Sequence, residues 1–290
     1  MPRPAYVFAL AAALCSAGAT IFIRQGLRGG GPYTGFWINL VVGTVGLWAA
    51  VLLTGGLGRL SPAGVVFFVL AGLIGTVAGR LLRFVSIEKV GASIGAALNN
   101  LHPLVSTGLA ILLLGERVTA PILVGTVVIV LGATLLSSAG DGRVGFRPWH
   151  LGLPLLSAAC FGVVAVLRKL GLSQTGVVVG SAINVTTALV AFTAFLLASR
   201  QRDVMVCRGR SLAYFVAAGV AENAGVFLNV VALSVGTVSV VAPLSGAAPI
   251  FVLPLSFFFL RGVETFGRRV VLGTLLTVLG VYLITALSGH

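Results

Sequence analysis

The sequence predicts an all-α integral membrane protein with ten transmembrane helices, arranged as two inverted five-helix repeats. Three observations predict this fold class: ten apolar stretches of bilayer length, a very low content of charged residues, and a residue pattern that occurs twice. Hydrophobic residues make up 58% of the 290 residues and charged residues only 9%, whereas soluble domains carry about 25% charged residues. So few charges cannot cover a surface that faces water, so we expect the chain to lie in a lipid bilayer.

Each apolar stretch is long enough to cross a membrane as a helix. The hydrocarbon core is about 30 Å thick, so a spanning helix needs about 20 residues. Helices are favoured because the backbone finds no water there, and the stretches lack the short alternating pattern of barrel strands. The predicted spans are Ala5–Ile23, Tyr33–Leu53, Ala63–Leu82, Gly91–Leu113, Pro121–Leu136, Leu151–Leu167, Val177–Leu197, Leu212–Leu233, Val238–Leu260 and Val270–Leu287.

The first span has some features of a cleaved signal peptide. Arg3 precedes an apolar core, and the small residues Ser16 and Gly18 follow it. We favour a retained span, because the apolar run continues beyond those small residues and its end is repeated later in the chain.

The repeated pattern predicts two domains, residues 1–139 and 148–290. Gly18 corresponds to Gly162, and Glu116 to Glu264, so the offset changes only from 144 to 148 residues. Because each unit has an odd number of spans, the second unit enters the membrane from the opposite side, which predicts inverted halves. Loop charges agree with this, since the single Arg59 after the second span contrasts with four arginines at 200–210 after the seventh.

The orientation of the termini stays open. The loops that follow the odd-numbered spans carry most of the basic residues, which places these loops in the cytoplasm and both termini outside, although any arginine that lines a cavity instead of a loop would weaken this count. The net charge of +13 comes from lysines and arginines scattered at helix ends, so nucleic-acid binding is not predicted. We expect an integral protein of a prokaryotic plasma membrane, and a homodimer is left open.

Enzymatic chemistry is not predicted. The sequence has no His-Glu-x-x-His pair, no phosphate-binding glycine loop and no Cys-x-x-Cys motif. Cys15, Cys160 and Cys207 are scattered, so neither disulfides nor a metal site are expected. No cofactor is predicted either. An intramembrane hydrolase would have to use His102, which is the alternative enzyme interpretation.

Polar residues inside the apolar spans are the candidate site. Glu222 is the only acidic residue well inside a span, and it is a candidate for proton coupling or a structural carboxyl paired with an arginine. Arg80 lies one helical turn before Arg83, and both are candidates for an anion or for membrane anchoring. The remaining candidates for the wall of a cavity are Asn99, Asn100, His102, Asn223 and Ser245, with Asn39 and Asn184 as weaker ones.

The ordered motifs resemble the EamA-type family of the drug/metabolite transporter superfamily. The similarity rests on Val90-Gly91-Ala92-Ser93, Pro103 and Leu114-Gly115-Glu116-Arg117, which are repeated more weakly around Val235-Gly236, Pro249 and Glu264. This resemblance implies two inverted repeats around a central cavity, transport of small organic solutes, and both termini in the cytoplasm.

We therefore expect a secondary transporter that works by alternating access. Its substrate would be a small polar metabolite, such as an amino acid or an organic anion, and its cavity would be formed by spans one, three, four, six, eight and nine. The alternatives are a flippase for lipids or lipid-linked sugars on the same scaffold and a membrane scaffold that transports nothing.

Overall fold

All regular elements in the described part of the chain are helices. The computed structural model describes residues 3–58, 60–90, 98–137, 147–201, 204, 206–259 and 268–287. The helices are α1 (Arg3–Gly26), α2 (Pro32–Leu53), α3 (Pro62–Ala71), a π-helix (Gly72–Gly79), α4 (Arg80–Val90), α5 (His102–Leu114), α6 (Ala120–Ser137), a 3₁₀ turn (Pro148–Leu151), α7 (Gly152–Leu172), α8 (Val177–Ala198), α9 (Arg210–Val235), α10 (Val238–Ser245), α11 (Ala248–Phe259) and α12 (Arg268–Leu287).

Six of the described helices are long and apolar enough to cross a membrane. They are Pro4–Gly26, Pro32–Leu53, Pro62–Arg83, Pro148–Leu172, Val177–Ala198 and Arg210–Val235. The fourth, fifth, ninth and tenth predicted spans correspond to shorter apolar helices in the described residues. The start of the predicted fourth span at 91–97, the loop at 138–146 and Glu264 lie outside the described residues. The chain is thus a helical membrane protein.

Three prolines lie at helix beginnings. Pro32, Pro62 and Pro103 each occupy the first turn of a helix, where the missing N–H group has no intrahelical acceptor in any case. The sequence pattern places Pro103 in the middle of the fourth span, and in the structure it lies in the first turn of α5, which begins at His102 after a turn at residues 100–101. At the other end, Gly115 adopts a left-handed conformation with φ of 63° and ends α5.

The third span contains a π-helical segment that the sequence pattern did not indicate. Gly72, Gly75 and Gly79 lie on it, and they let α7 and α8 approach closely. A Cβ atom on Gly72 would lie only 2.6 Å from the carbonyl oxygen of Asn184. The hydroxyl of Ser157 donates to the carbonyl oxygen of Gly79 over 2.8 Å. Segments of this kind are rare and are often found at functional sites, and here Arg80 follows directly.

Helices of the first half pack mainly against helices of the second half. The pairs are α1 with α9, α3 with α7, α2 with α8, α5 with α10 and α6 with α12. This set of pairs is unchanged when each span is replaced by its counterpart in the other half, five spans away. The α1–α9 pair, formed by the first and eighth spans, then becomes the α3–α7 pair, formed by the sixth and third spans. A two-fold relation between the halves would give this pattern, and the inversion itself stays a prediction.

Helices α6 and α12 meet along facing glycines. A Cβ atom on Gly280 would lie 2.7 Å from the carbonyl oxygen of Gly125, and one on Gly273 would lie 2.9 Å from that of Gly132. The two helices therefore run antiparallel and touch backbone to backbone. In lipid, where helix association depends on close packing, small residues permit such contacts.

Two phenylalanines fill cups of glycine in the opposite half. The Phe68 side chain is fully buried, and Cβ atoms on Gly171 or Gly180 would overlap its ring. The Phe215 side chain is 1% exposed and is enclosed in the same way. Its cup is formed by Gly26, Gly30 and Gly35, where an added Cβ atom would lie 2.5 Å from the ring. We call these two arrangements the phenylalanine cups.

Candidate functional site

A narrow polar cleft lies between the halves. Its polar lining consists of Asn39, Thr76, Arg80, Ser181, Asn184 and Asn223. They come from α2, the π-helix, α4, α8 and α9. The cleft holds about 280 Å³ of empty space, part of it open to the surroundings. The free volume at its centre suits about one water molecule, so a metabolite fits only if the walls separate.

An ion pair stands at this cleft. The Nη2 atom of Arg80 lies 2.9 Å from the Oε1 atom of Glu222, and the two side chains are 18% and 23% exposed. The guanidinium carbon of Arg80 lies 5.3 Å from the centre of the Phe36 ring, in a cation–π contact. Arg80 is the first residue of α4, and Glu222 lies in the middle of α9. The pair therefore joins one helix of each half.

Two hydrogen bonds at equivalent positions tie the halves together around the ion pair. The side-chain amide of Asn223 donates to the backbone carbonyl of Asn39 over 3.0 Å. The side-chain amide of Asn184 donates to the Thr76 hydroxyl over 3.1 Å. Asn39 corresponds to Asn184 at an offset of 145 residues, and Thr76 corresponds to Asn223 at 147. The uncharged bonds are thus present twice, whereas the Arg80–Glu222 pair is present once.

Positive charge is in excess at the cleft. The Nη2 and Nε atoms of Arg168 lie 3.3 and 3.4 Å from the Oδ1 atom of Asn184, which is a neutral acceptor. Arg168 is close enough to Arg80 for the two to repel each other. Arg83 interacts electrostatically with Glu222. Arg80 is thus paired with the Glu222 carboxylate, Arg168 adds a second guanidinium group near Arg80, and Arg83 lies within electrostatic range of Glu222 outside the described lining.

Ser181 adds a polar group that the sequence pattern did not single out. Its hydroxyl is buried and lines the cleft. It has no hydrogen-bond partner within the described part of the chain. A buried hydroxyl costs free energy unless it is hydrogen-bonded, so this group is suited to a ligand. Ser181 lies one helical turn before Asn184, and both face the same space.

The structure brings together only some of the predicted site residues. Arg80 and Asn223 line the cleft, and Glu222 is paired with Arg80. The described cleft is also lined by α2 and α8, the second and seventh spans, which the sequence pattern had not included in the wall of a cavity. The described lining includes no residue of spans one, four, six or nine. The weaker candidates Asn39 and Asn184 belong to it.

Three other candidates have hydrogen-bond partners elsewhere, and Asn100 lies outside the described lining. The Ser157 hydroxyl lies 2.9 Å from the Oδ1 atom of Asn99, and the Nδ1 atom of His102 lies 3.2 Å from the Asn99 carbonyl oxygen. The Asn229 amide donates to the Ser245 hydroxyl over 2.7 Å. The Ser157–Asn99 and Asn229–Ser245 contacts join different segments of the chain, whereas the His102–Asn99 contact is local. A role of Asn99, Asn100, His102 and Ser245 in a transport cavity stays a prediction. Asn100 lies in the turn two residues before α5 and is not among the lining residues of the cleft.

A pair of opposite charges holds the α9–α10 connection. The Lys169 ammonium donates to the carbonyl oxygens of Leu233 and Gly236, both over 2.6 Å. The Glu116 carboxylate accepts from the backbone N–H groups of Val238 at 2.8 Å and Ser239 at 3.0 Å. Positive charge thus meets a helix C-terminus and negative charge a helix N-terminus, as the helix dipole favours. We call this arrangement the terminal clamp.

We expect Glu116→Gln to lower the stability of the terminal clamp. An amide replaces the carboxylate, so the first turn of α10 loses a charge-assisted acceptor, which costs about 1 kcal/mol. Thermal unfolding of the detergent-purified protein, followed by tryptophan fluorescence, measures the change. Arg117→Gln is the control, because Arg117 is adjacent and exposed. Equal melting temperatures for the two variants would contradict the assigned role of Glu116.

Known proteins match nearly the whole length of the chain. A family model described as the EamA-like transporter family matches residues 3–138 and again residues 148–286. A solved structure described as "Crystal structure of protein" superposes with a TM-score of 0.82 and 19% sequence identity, covering 99% of this chain and 98% of its own. At this identity the likeness shows the fold alone. Among curated proteins no match is found.

Proposed function

Because the chain belongs to the EamA-like transporter family, we propose that it is a secondary transporter that moves a small organic anion by alternating access. The observation that carries the proposal is the excess of positive charge at the cleft between the halves. Arg80 pairs with the carboxylate of Glu222, Arg168 contacts the neutral side chain of Asn184 close to Arg80, and Arg83 lies within electrostatic range of Glu222. The cleft lies where the two halves meet, so a movement of one half against the other would open it.

The substrate class follows from the chemistry of the lining. Guanidinium groups offer a planar pair of donors that matches a carboxylate or a phosphate. Ser181 and the two asparagines Asn39 and Asn184 supply neutral donors and acceptors. We therefore propose a metabolite that carries at least one carboxylate or phosphate group, which includes amino acids.

The inverted arrangement of the halves and proton coupling through Glu222 belong to the same proposal. In inverted-repeat transporters the site lies at the repeat interface, and one repeat rocks against the other. The symmetric pairing of the helices supports this arrangement. A proton on Glu222 would remove its charge and weaken its hold on Arg80, which offers a route to coupling.

Transport into proteoliposomes tests the proposal. We expect uptake of radiolabelled succinate, glutamate or inorganic phosphate, with no uptake of choline. Arg80→Gln should reduce the uptake at least about tenfold, because each lost charge-assisted contact weakens binding by about 1.5–3 kcal/mol. Arg208→Gln, an exposed arginine in a loop, is the matched control and should leave uptake unchanged.

Two results would speak against this function. Equal uptake by Arg80→Gln and by the unaltered protein would remove Arg80 from the site. Translocation of a fluorescent phospholipid without uptake of the three anions would favour the flippase alternative instead.

A further inference from the structure

We propose that Glu222 serves as an internal substitute for the anionic group of the substrate. In the empty transporter its carboxylate neutralises Arg80, and the anionic group of an incoming substrate displaces it. This inference rests on the proposed function and specifies how the same site is regulated.

The geometry of the ion pair suits such an exchange. Glu222 presents one carboxylate oxygen to one guanidinium nitrogen at 2.9 Å. A substrate carboxylate or phosphate carries the same acceptor groups and the same sign of charge. Both side chains are partly exposed, so neither is sealed from an incoming ligand. Arg80 also lines the cleft, whose small free volume leaves no room for a metabolite while the pair is formed.

The backbone beside Glu222 is held in place by its neighbour. The Asn223 amide donates to the carbonyl oxygens of Asn39 at 3.0 Å and Gly219 at 2.8 Å, and it lies 3.3 Å from the Oδ1 atom of Asn39. Gly43 makes room for this amide, because a Cβ atom there would overlap it. Displacement of Glu222 from Arg80 therefore requires a side-chain rotation and no shift of α9.

The energetic consequence concerns the empty transporter. A cleft that closes around an unpaired guanidinium group buries a charge, which costs several kcal/mol. Glu222 removes this cost, so the empty protein can close and change its orientation. Without the carboxylate, only the substrate-loaded form is neutralised at Arg80. The protein would then exchange substrate across the membrane but would not return empty.

The experiment compares the unaltered protein with Glu222→Gln in two assays. Binding of succinate, glutamate and inorganic phosphate to detergent-purified protein is measured by thermal shift titration. We expect about tenfold tighter binding to Glu222→Gln, because the internal competitor is gone. In proteoliposomes, uptake into vesicles without internal substrate should fall at least about tenfold, whereas exchange against the same internal anion should stay within about twofold.

Glu222→Asp is the matched variant, since it keeps the carboxylate and should retain uptake into empty vesicles. If Glu222→Gln fails to fold, Glu222→Ala replaces it in both assays. Undiminished uptake into empty vesicles, or equal loss of uptake and exchange, would overturn the inference while leaving the proposed function intact. If the unaltered protein neither binds nor transports any of the three anions, the proposed function fails and this inference fails with it.

Discussion

Replacing Phe215 by alanine is expected to lower the free energy of unfolding by about 3 kcal/mol, the lower part of the range for a buried phenylalanine. The ring is 1% exposed and fills a cup whose walls are glycine backbone. Glycines have no side chains that can move into the space, so the cavity persists after the substitution. The cost is packing energy, because helix association in lipid depends on close contact.

The measurement is the thermal or denaturant-induced unfolding of the detergent-purified protein. Phe68→Ala should give a similar loss, because Phe68 occupies the equivalent cup. Phe195→Ala is the control, since that ring is 44% exposed, and it should cost less than about 1 kcal/mol. A loss for Phe215→Ala no larger than that of the control would show that the cup does not stabilise the fold.

Arg80→Gln is expected to destabilise the protein by about 2 kcal/mol, and the double variant Arg80→Gln/Glu222→Gln should recover most of this loss. Removal of one member of an enclosed ion pair leaves the other charge without its partner, whereas neutral substitution of both avoids that penalty. The effect lies below the 3–5 kcal/mol of a fully buried pair, because both side chains are partly exposed.

The double variant should regain stability without regaining transport. Uptake of anions stays lost, because the guanidinium group that would bind them is absent. Unfolding measurements and proteoliposome uptake on the same preparations test both parts. Recovery of uptake together with stability would mean that Arg80 acts through folding alone and does not contact the substrate.

Hydropathy alone was sufficient to predict a helical membrane protein. Runs such as Tyr33–Leu53 have the length that a bilayer imposes, and α2 covers Pro32–Leu53. The cost of a carboxylate in lipid also singled out Glu222 and predicted a cavity or a partner, and the structure gives it Arg80. Their roles in transport stay predictions.

The composition of the cleft wall was harder to predict, because polar side chains in lipid pair with whatever lies opposite them. Nothing in the sequence around Asn99 indicates that Ser157, from the other half, would lie against it. The π-helix was equally hidden, since its glycines are common throughout the chain. One signal was available: Asn39 and Asn184 are polar residues at matched positions of the two halves.

The phenylalanine cups have a consequence for biosynthesis. The first half provides the cup for Phe215, and the second half provides the cup for Phe68, so each half completes the packing of the other. The N-terminal five spans therefore enter the bilayer with one aromatic ring and one hollow still lacking their counterparts. The hollow for Phe68 is completed once Gly171 and Gly180 of α7 and α8 have been delivered, whereas the cup for Phe215 stays empty until the α9 segment follows. A chain truncated between α8 and α9 would therefore retain one defect, and a chain truncated before α7 would retain both.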